Sequence, residues 1–177
     1  FREVLAERAA VRLGSDVFSR GSIAPSGLSG ACNALRRFMG AMSTVGVDRY
    51  RAVATSAVRE ATNGDHFVRQ ALRRSGVRVE TIGGDEEARL IELAVRQRVL
   101  LGDRAALLVD IGGGSTELTL LADGRAAFAC SLPLGTVRLL HAVADEGEGR
   151  VSEAARRKLD ELVALAAAPS LTAVRAL

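Results

Sequence analysis

The sequence is poor in the residues that mark several common classes of protein. Only 3% of its 177 residues are aromatic, and it contains two cysteines. Two cysteines, Cys32 and Cys130, lie far apart in apolar contexts, which predicts buried free thiols in a reducing cytoplasm rather than a disulfide framework. Neither they nor His66 and His141 have the spacing of zinc ligands, so a zinc site is not expected.

Long apolar runs and patches for nucleic acid are also absent from the sequence. No apolar run approaches the roughly 20 residues of a membrane-spanning helix. The formal net charge is +3, and arginine supplies nearly all of the positive charge, but no basic patch is interleaved with aromatics as in RNA-binding modules. We therefore expect neither a nucleic acid nor a membrane as partner. The guanidinium groups suit phosphate oxygens and are weak evidence for an anionic substrate.

The length and the apolar content suffice for a folded core. A chain of 177 residues, 48% of them hydrophobic, forms one large domain or two small ones. Because aromatics are scarce, alanine, valine and leucine are expected to fill the core.

The most informative stretch is a strand, a glycine turn, a strand and a hairpin in succession. Leu107 to Ile111 is a short apolar run that predicts a buried strand, and Gly112 to Gly114 close it. Thr116 to Leu120 alternate polar and apolar residues at strand period. Asp123-Gly124 is a two-residue hairpin signal, after which Arg125 to Leu132 predict a third strand.

This order of elements favours a phosphate site. Successive N–H groups in a glycine turn form an anion-binding nest. In a Rossmann or P-loop site the glycines lead into a helix, whereas here they lead into a strand. Asp110 and Glu117 flank the turn and are placed to hold a metal against a phosphate. The alternative is an ordinary hairpin whose glycines serve only the turn.

The first half of the chain predicts alternating helices and strands. Val11, Leu13 and Val17 allow a strand. Pro25 is typical of the first position of a helix, and apolar residues at helical spacing extend that helix to about Gly46.

Two more strands are predicted, with a helix between them. The strands are Tyr50 to Ala54 and Arg78 to Ile82. Asn63 or Asp65 is expected to cap the intervening helix, and Gly76 is expected to end it.

Two polar segments follow these strands. Thr55, Ser56 and Arg59 lie where open α/β sheets bind ligands, although on these residues alone a capping turn with a surface arginine is the favoured interpretation.

After the second strand, Asp85 is the expected N-cap of a helix that ends at Gly102, and the helix dipole accounts for Glu86. Glu87 lies at the edge of the apolar face, where a carboxylate could orient a water molecule.

Taken together, these segments resemble the Ppx/GppA phosphatase family, which contains exopolyphosphatases and guanosine pentaphosphate phosphohydrolases. The resemblance covers about residues 10 to 140. It rests on three motifs in order, Ala54–Ala61, Gly84–Ile91 and Asp110–Glu117, and on the segment Leu132–Arg138.

The resemblance implies an α/β actin-like ATPase (ribonuclease H-like) fold, with mixed sheets flanked by helices and an active site in the cleft between two domains. Residues 1–103 would be the remainder of the first domain, and residues 104–177 the first part of the second, with a helical stretch from about Glu153 to Ala167.

The resemblance also implies the roles of individual residues. Glu87 corresponds to the catalytic carboxylate, and Asp110 and Glu117 to the acids that hold Mg²⁺. The implied phosphate-binding residues are Gly112, Gly113, Gly114, Ser115, Thr116, Thr55, Ser56 and Arg59.

The implied reaction is hydrolysis of a terminal phosphoanhydride bond. Polyphosphate is the first expected substrate and guanosine pentaphosphate the second. An actin-like ATP-dependent kinase or ATPase and a non-catalytic phosphate- or nucleotide-binding module are the alternatives. Whether the chain forms a homodimer stays open.

The sequence departs from the family pattern in places. Nothing before Val11 matches the first phosphate loop of the family, and Gly83 stands where a serine is usual. We therefore expect an interior fragment that lacks this loop and the C-terminal part. With only one of the two loops that clamp the anion, we expect it to be inactive alone.

Overall fold

The computed structural model describes residues 3–102 and 105–143, together with scattered positions between 153 and 164. It divides into two compact units, Phe1–Thr81 and Ile82–Leu177. The predicted domain division falls at residues 103 and 104, outside the described residues, and stays a prediction. The predicted helical stretch from Glu153 to Ala167 lies largely outside them too. Within the described ranges, no helix is long and apolar enough to cross a membrane.

The first unit alternates helices with two short strands. Its elements are α1 (Leu13–Arg20), α2 (Pro25–Thr44), β1 (Ala52–Ala54), α3 (Ser56–Glu60), α4 (Gly64–Ser75) and β2 (Val79–Thr81). The two strands pair in parallel, with Ala52 opposite Val79 and Ala54 opposite Thr81. Because parallel strands need a long crossover, α3 and α4 lie between them in the chain.

The core of the first unit lies where α1, α2 and α4 pack together. Its buried residues include Val17, Leu28, Cys32 and Phe67. Cys32 is a fully buried free thiol, as predicted, and Cys130 in the second unit is a half-buried free thiol.

The strand predicted near Val11, Leu13 and Val17 is wrong. Leu13 begins α1, and Val17 lies one helical turn later and is 5% exposed. A spacing of four residues places two side chains on one face of a helix, and these two side chains pack on the core. The helix ends at Gly21, which adopts a left-handed conformation with φ of 74°.

The cap predicted for α4 is also different in the structure. Asn63 precedes the helix, but its side chain makes no capping hydrogen bond. Its Oδ1 accepts a hydrogen bond from the Ile23 N–H at 2.9 Å, and its Nδ2 donates to the Ile23 carbonyl at 2.8 Å. Asn63 therefore fixes the loop before α2 instead. Gly76 ends the helix with φ of 75°, as predicted.

Between Ile82 and Val143, the described residues of the second unit form a three-stranded sheet and two helices. Its elements are α5 (Gly84–Arg96), β3 (Ala106–Ile111), β4 (Thr116–Ala122), β5 (Arg125–Leu132) and α6 (Thr136–Val143). The sheet is antiparallel in the order β3-β4-β5. Asp123 and Gly124 have φ of 50° and 71°, as a two-residue hairpin turn requires. The predicted succession of strands and turns is confirmed, but the prediction that its first strand is buried is wrong, because the side chains on one face of β3 are more than half exposed.

The hairpin of β4 and β5 contains one irregularity. Leu121 pairs with Ala126, but Leu120 pairs with Phe128, so Ala127 is an extra residue in β5. Such a bulge shifts the register of the rest of the strand by one position. As a result Glu117 lies opposite Ser131.

The predicted limits of α5 need correction. The N-cap is Gly83 and not Asp85, which lies in the first turn of the helix. The helix ends at Arg96 and not near Gly102. Beyond Arg96 the side chains of Val99 and Leu100 are exposed, so a further turn would gain little packing.

Candidate active site

The glycine turn between β3 and β4 is attached to α6 through its carbonyl groups. All three glycines, Gly112 to Gly114, accept hydrogen bonds from the start of that helix. The donors are Thr136 N–H to Gly112 at 2.9 Å, Val137 N–H and Arg138 N–H to Gly113 at 2.9 and 3.1 Å, and Arg138 Nε to Gly114 at 2.7 Å. The first turn of α6 therefore fixes the orientation of the turn's peptide groups.

This attachment decides where the amide groups of the turn point. In a trans peptide, the N–H of one residue points opposite to the carbonyl of the residue before it. Since the carbonyls point at α6, the N–H groups of Gly113, Gly114 and Ser115 point away from it. None of these three N–H groups donates a hydrogen bond to a residue that the structure describes. Three adjacent donors on one side form the predicted type of anion site.

Gly135 makes this arrangement sterically feasible. It lies against the peptide group that joins Gly113 to Gly114. A Cβ at Gly135 would lie only 2.2 Å from the nitrogen of Gly114 and 2.4 Å from the carbonyl oxygen of Gly113. Any side chain here would push the glycine turn away from α6.

Three polar residues form one row across the sheet. Asp110, Glu117 and Ser131 lie directly opposite one another on the three strands. Side chains of opposed residues in antiparallel strands project from the same face. Glu117, in the middle of the row, is 2% exposed, whereas Asp110 is exposed at the edge.

The two oxygens of Glu117 have different surroundings. Oε1 accepts a hydrogen bond from the Ser131 hydroxyl at 2.8 Å. Oε2 is buried and accepts no hydrogen bond from the described residues. A buried carboxylate oxygen in this state is costly unless a partner such as a cation satisfies it.

The start of α5 lies directly on this row. A Cβ at Gly84 would lie 2.4 Å from the Cβ of Ser131. Glu87 is three residues further along α5 and so lies on the same side of the helix. It is half-buried, and its Oε2 is buried. Glu87 therefore lies on the side of α5 that packs against the sheet face with the predicted metal ligands.

Glu86 has a different environment from its neighbour. It forms an ion pair with Arg89, one turn later on the helix surface, with nitrogen–oxygen distances of 2.6 and 2.9 Å. A surface pair of this kind contributes little to stability. The two adjacent glutamates therefore differ in their contacts, since Glu86 pairs with Arg89 whereas Oε2 of Glu87 is buried.

The other predicted phosphate residues take part in the local fold. The hydroxyl of Thr116 donates to the Leu134 carbonyl at 2.6 Å, and Ser115 is 4% exposed. Thr55 and Ser56 belong to the first unit, where the Thr55 carbonyl accepts the N–H groups of Val58 and Arg59 at the start of α3. Ser56 is buried and Arg59 is half-buried.

The residues present fit a magnesium ion. Asp110 and Glu117 offer hard carboxylate oxygens on one face of the sheet, and one of these oxygens is buried without a hydrogen-bond donor. Mg²⁺ is commonly held by one or two carboxylates together with water and substrate phosphates. No group of three or more His, Cys, Asp or Glu side chains suited to a metal occurs among the residues described.

Comparison with known proteins identifies the family. The sequence profile of the Ppx/GppA phosphatase family matches residues 1–174. The chain belongs to the Ppx/GppA phosphatase family. The resemblance drawn from the motifs is thereby confirmed.

Curated relatives agree with this assignment. The chain is 34% identical over 170 residues to proteins named exopolyphosphatase 1 from Mycobacterium tuberculosis and Mycobacterium bovis. The match covers 96% of this chain and 49% of each relative, so the chain spans about half the length of the curated relatives that it matches.

Solved Ppx/GppA structures show the same fold. An exopolyphosphatase from Cytophaga hutchinsonii has a TM-score of 0.88 at 26% identity, over 99% of this chain and 55% of that one. An Aquifex aeolicus member of the family has a TM-score of 0.71 at 27% identity, over 92% of this chain and 52% of that one. The predicted α/β actin-like fold class is confirmed.

The sequence analysis assigned no role to three residues that the structure places in this candidate site. Ser131 donates a hydrogen bond to Glu117, and Arg138 donates one to a carbonyl of the glycine turn. Gly135 has no side chain and so allows the turn to lie close to the start of α6. The available signal was the segment Leu132–Arg138, which matched the family pattern. The position of Ser131 depends on the bulge at Ala127, for which the sequence gives no signal.

Proposed function

We propose that the protein hydrolyses terminal phosphoanhydride bonds and releases phosphate from polyphosphate. The observation that carries this proposal is the glycine turn, whose three outward N–H groups are aligned by α6. Family membership makes a phosphatase reaction the expected chemistry. Several relatives bear the name exopolyphosphatase, which favours polyphosphate as the substrate.

In the proposed reaction, the amides of Gly113, Gly114 and Ser115 bind oxygens of the terminal phosphate. Preorganised donors of this kind stabilise charge in the transition state without further rearrangement. Because phosphoryl transfer depends mainly on positioning and electrostatics, these backbone groups supply much of what the reaction needs. Thr55, Ser56 and Arg59 stay candidates for further phosphate contacts.

The three acidic residues are assigned two roles in this reaction, metal binding and activation of the attacking water. Asp110 and Glu117 would hold Mg²⁺, which when bound supplies positive charge that neutralises the phosphate oxygens. Glu87 orients the attacking water and accepts its proton. The half-buried position of Glu87 over the polar row supports this assignment.

The deciding experiment is phosphate release by the full-length protein from long-chain polyphosphate, guanosine pentaphosphate and ATP, measured side by side with Mg²⁺. We expect the highest kcat/KM on polyphosphate. A preference for guanosine pentaphosphate would assign the other activity of the family. Release from ATP alone would indicate an actin-like ATPase, and binding without release from any of the three would indicate a non-catalytic module.

A further inference from the structure

Ser131 is in contact with both halves of the acidic site. Its hydroxyl donates to Oε1 of Glu117 at 2.8 Å. Its Cβ lies where a side chain at Gly84 would have to go, with only 2.4 Å between the two Cβ positions. The residue therefore meets β4 through a hydrogen bond and α5 through van der Waals contact.

The hydrogen bond determines which oxygen of Glu117 is available. With Oε1 occupied by Ser131, the carboxylate has one orientation, and Oε2 is left as the oxygen without a donor. A partner that orients a metal ligand in this way commonly contributes 10- to 100-fold to metal affinity or activity.

The contact with Gly84 determines how closely α5 approaches the sheet. Because Gly84 has no side chain and Ser131 has a small one, the first turn of α5 lies directly on β5. Glu87 belongs to that turn, so its distance from the polar row depends on the Gly84–Ser131 contact.

We propose that Ser131 is a positioning residue for both proposed carboxylates: it orients Glu117 by its hydroxyl and places Glu87 through its contact with Gly84. This inference rests on the proposed function, in which Glu117 holds Mg²⁺ and Glu87 acts on water.

The first test is Mg²⁺ binding by titration calorimetry, which needs no turnover. Ser131→Ala keeps the size of the contact and removes the donor, and we expect Kd for Mg²⁺ to rise about 10- to 100-fold. Ser131→Cys, a weak donor of similar size, should fall between Ser131→Ala and the parent. Thr119→Val is the control, because it removes a buried hydroxyl from the same face of the sheet, one strand away from Ser131. Equal Kd values for Ser131→Ala and the parent, or no Mg²⁺ binding by the parent, would overturn the inference.

The second test exchanges the sizes of the two contacting residues. Gly84→Ala should lower the unfolding temperature and reduce kcat on the order of 10²-fold at saturating Mg²⁺, because it displaces Glu87. Combining it with Ser131→Gly removes the clashing Cβ, so the unfolding temperature and kcat should recover to those of Ser131→Gly alone. A double variant as impaired as Gly84→Ala would overturn the role of the contact.

The two tests separate this inference from the proposed function. If the parent releases no phosphate from any substrate but Ser131→Ala still weakens Mg²⁺ binding, the proposed reaction fails and the orientation of Glu117 by Ser131 stands.

Discussion

In the sheet formed by β3, β4 and β5, one face buries polar side chains and the other exposes apolar ones. This is the reverse of what solubility alone would favour. The face beneath α5 buries Glu117 and Thr119 at 2% and 4% exposure. The other face exposes Leu107, Val109 and Ile111, each by more than half. A buried carboxylate destabilises a fold unless it is compensated, so we expect the proposed site to lie at the end of this face near the glycine turn.

The same face changes character along β4. Leu121, four residues beyond Glu117, is 1% exposed and belongs to the packed part of the unit. Within five residues the strand therefore passes from a carboxylate to a hydroxyl to a leucine. The proposed site and the packed part of the unit therefore lie on one face of the same strand. We expect some substitutions along this face to change activity and others to change the free energy of unfolding.

The largest expected effect is a loss of kcat on substitution of Glu87, in the proposed site. Glu87→Gln should lower kcat at least ~10²-fold with little change in substrate binding, because the amide cannot accept a proton from water. Steady-state kinetics and substrate titration measure the two effects. Glu86→Gln removes a surface ion pair and should change kcat little. Near-normal turnover of Glu87→Gln would mean that Glu87 only stabilises the N-terminus of α5 by its interaction with the helix dipole.

The next effect compares two leucines of the same sheet. Leu121→Ala should lower the free energy of unfolding by about 2–5 kcal/mol, since it leaves a cavity in the packed part. Leu107→Ala, on the exposed face, should cost less than about 1 kcal/mol. Urea unfolding of both variants gives the comparison. Equal losses would mean that the Leu107 face is covered in solution.

The smallest expected change is in the metal requirement. Asp110→Asn and Glu117→Gln should each raise the Mg²⁺ concentration for half-maximal activity about tenfold or more, since each removes a hard anionic oxygen. A Mg²⁺ titration of the rate measures it, with Asp123→Asn at the hairpin as the control. If neither acid changes the half-saturation point, their role is structural.

Local signals in the sequence were sufficient for the three strands of the second unit and the turns between them. The glycine turn, the alternation of β4 and the Asp123-Gly124 hairpin are encoded by neighbouring residues, and the structure has all of them. At Leu13 and Val17 the same local reasoning failed, because two apolar residues four apart pack equally well on one helix face, and the core decided the outcome.

The contacts that shape the site were not predictable in this way. The attachment of the glycine turn to Gly135 and Arg138 joins residues more than twenty positions apart. The availability of an N–H group or a carboxylate oxygen depends on such partners. Residue types therefore predicted Asp110, Glu117 and Glu87 as candidates, whereas the groups that orient them came only from the structure.

The extra residue at Ala127 makes the neighbour of Glu117 sensitive to chain length. The bulge absorbs one residue of β5, and deletion of Ala127 would therefore leave Ser131 opposite Glu117. Insertion of one residue directly after Ala127, with a single bulged residue kept, would instead place Cys130 opposite Glu117 and turn Ser131 to the other face. Such an insertion would exchange a hydroxyl for a thiol beside the carboxylate without changing any residue of the site, and it is expected to be more damaging than most substitutions in β5.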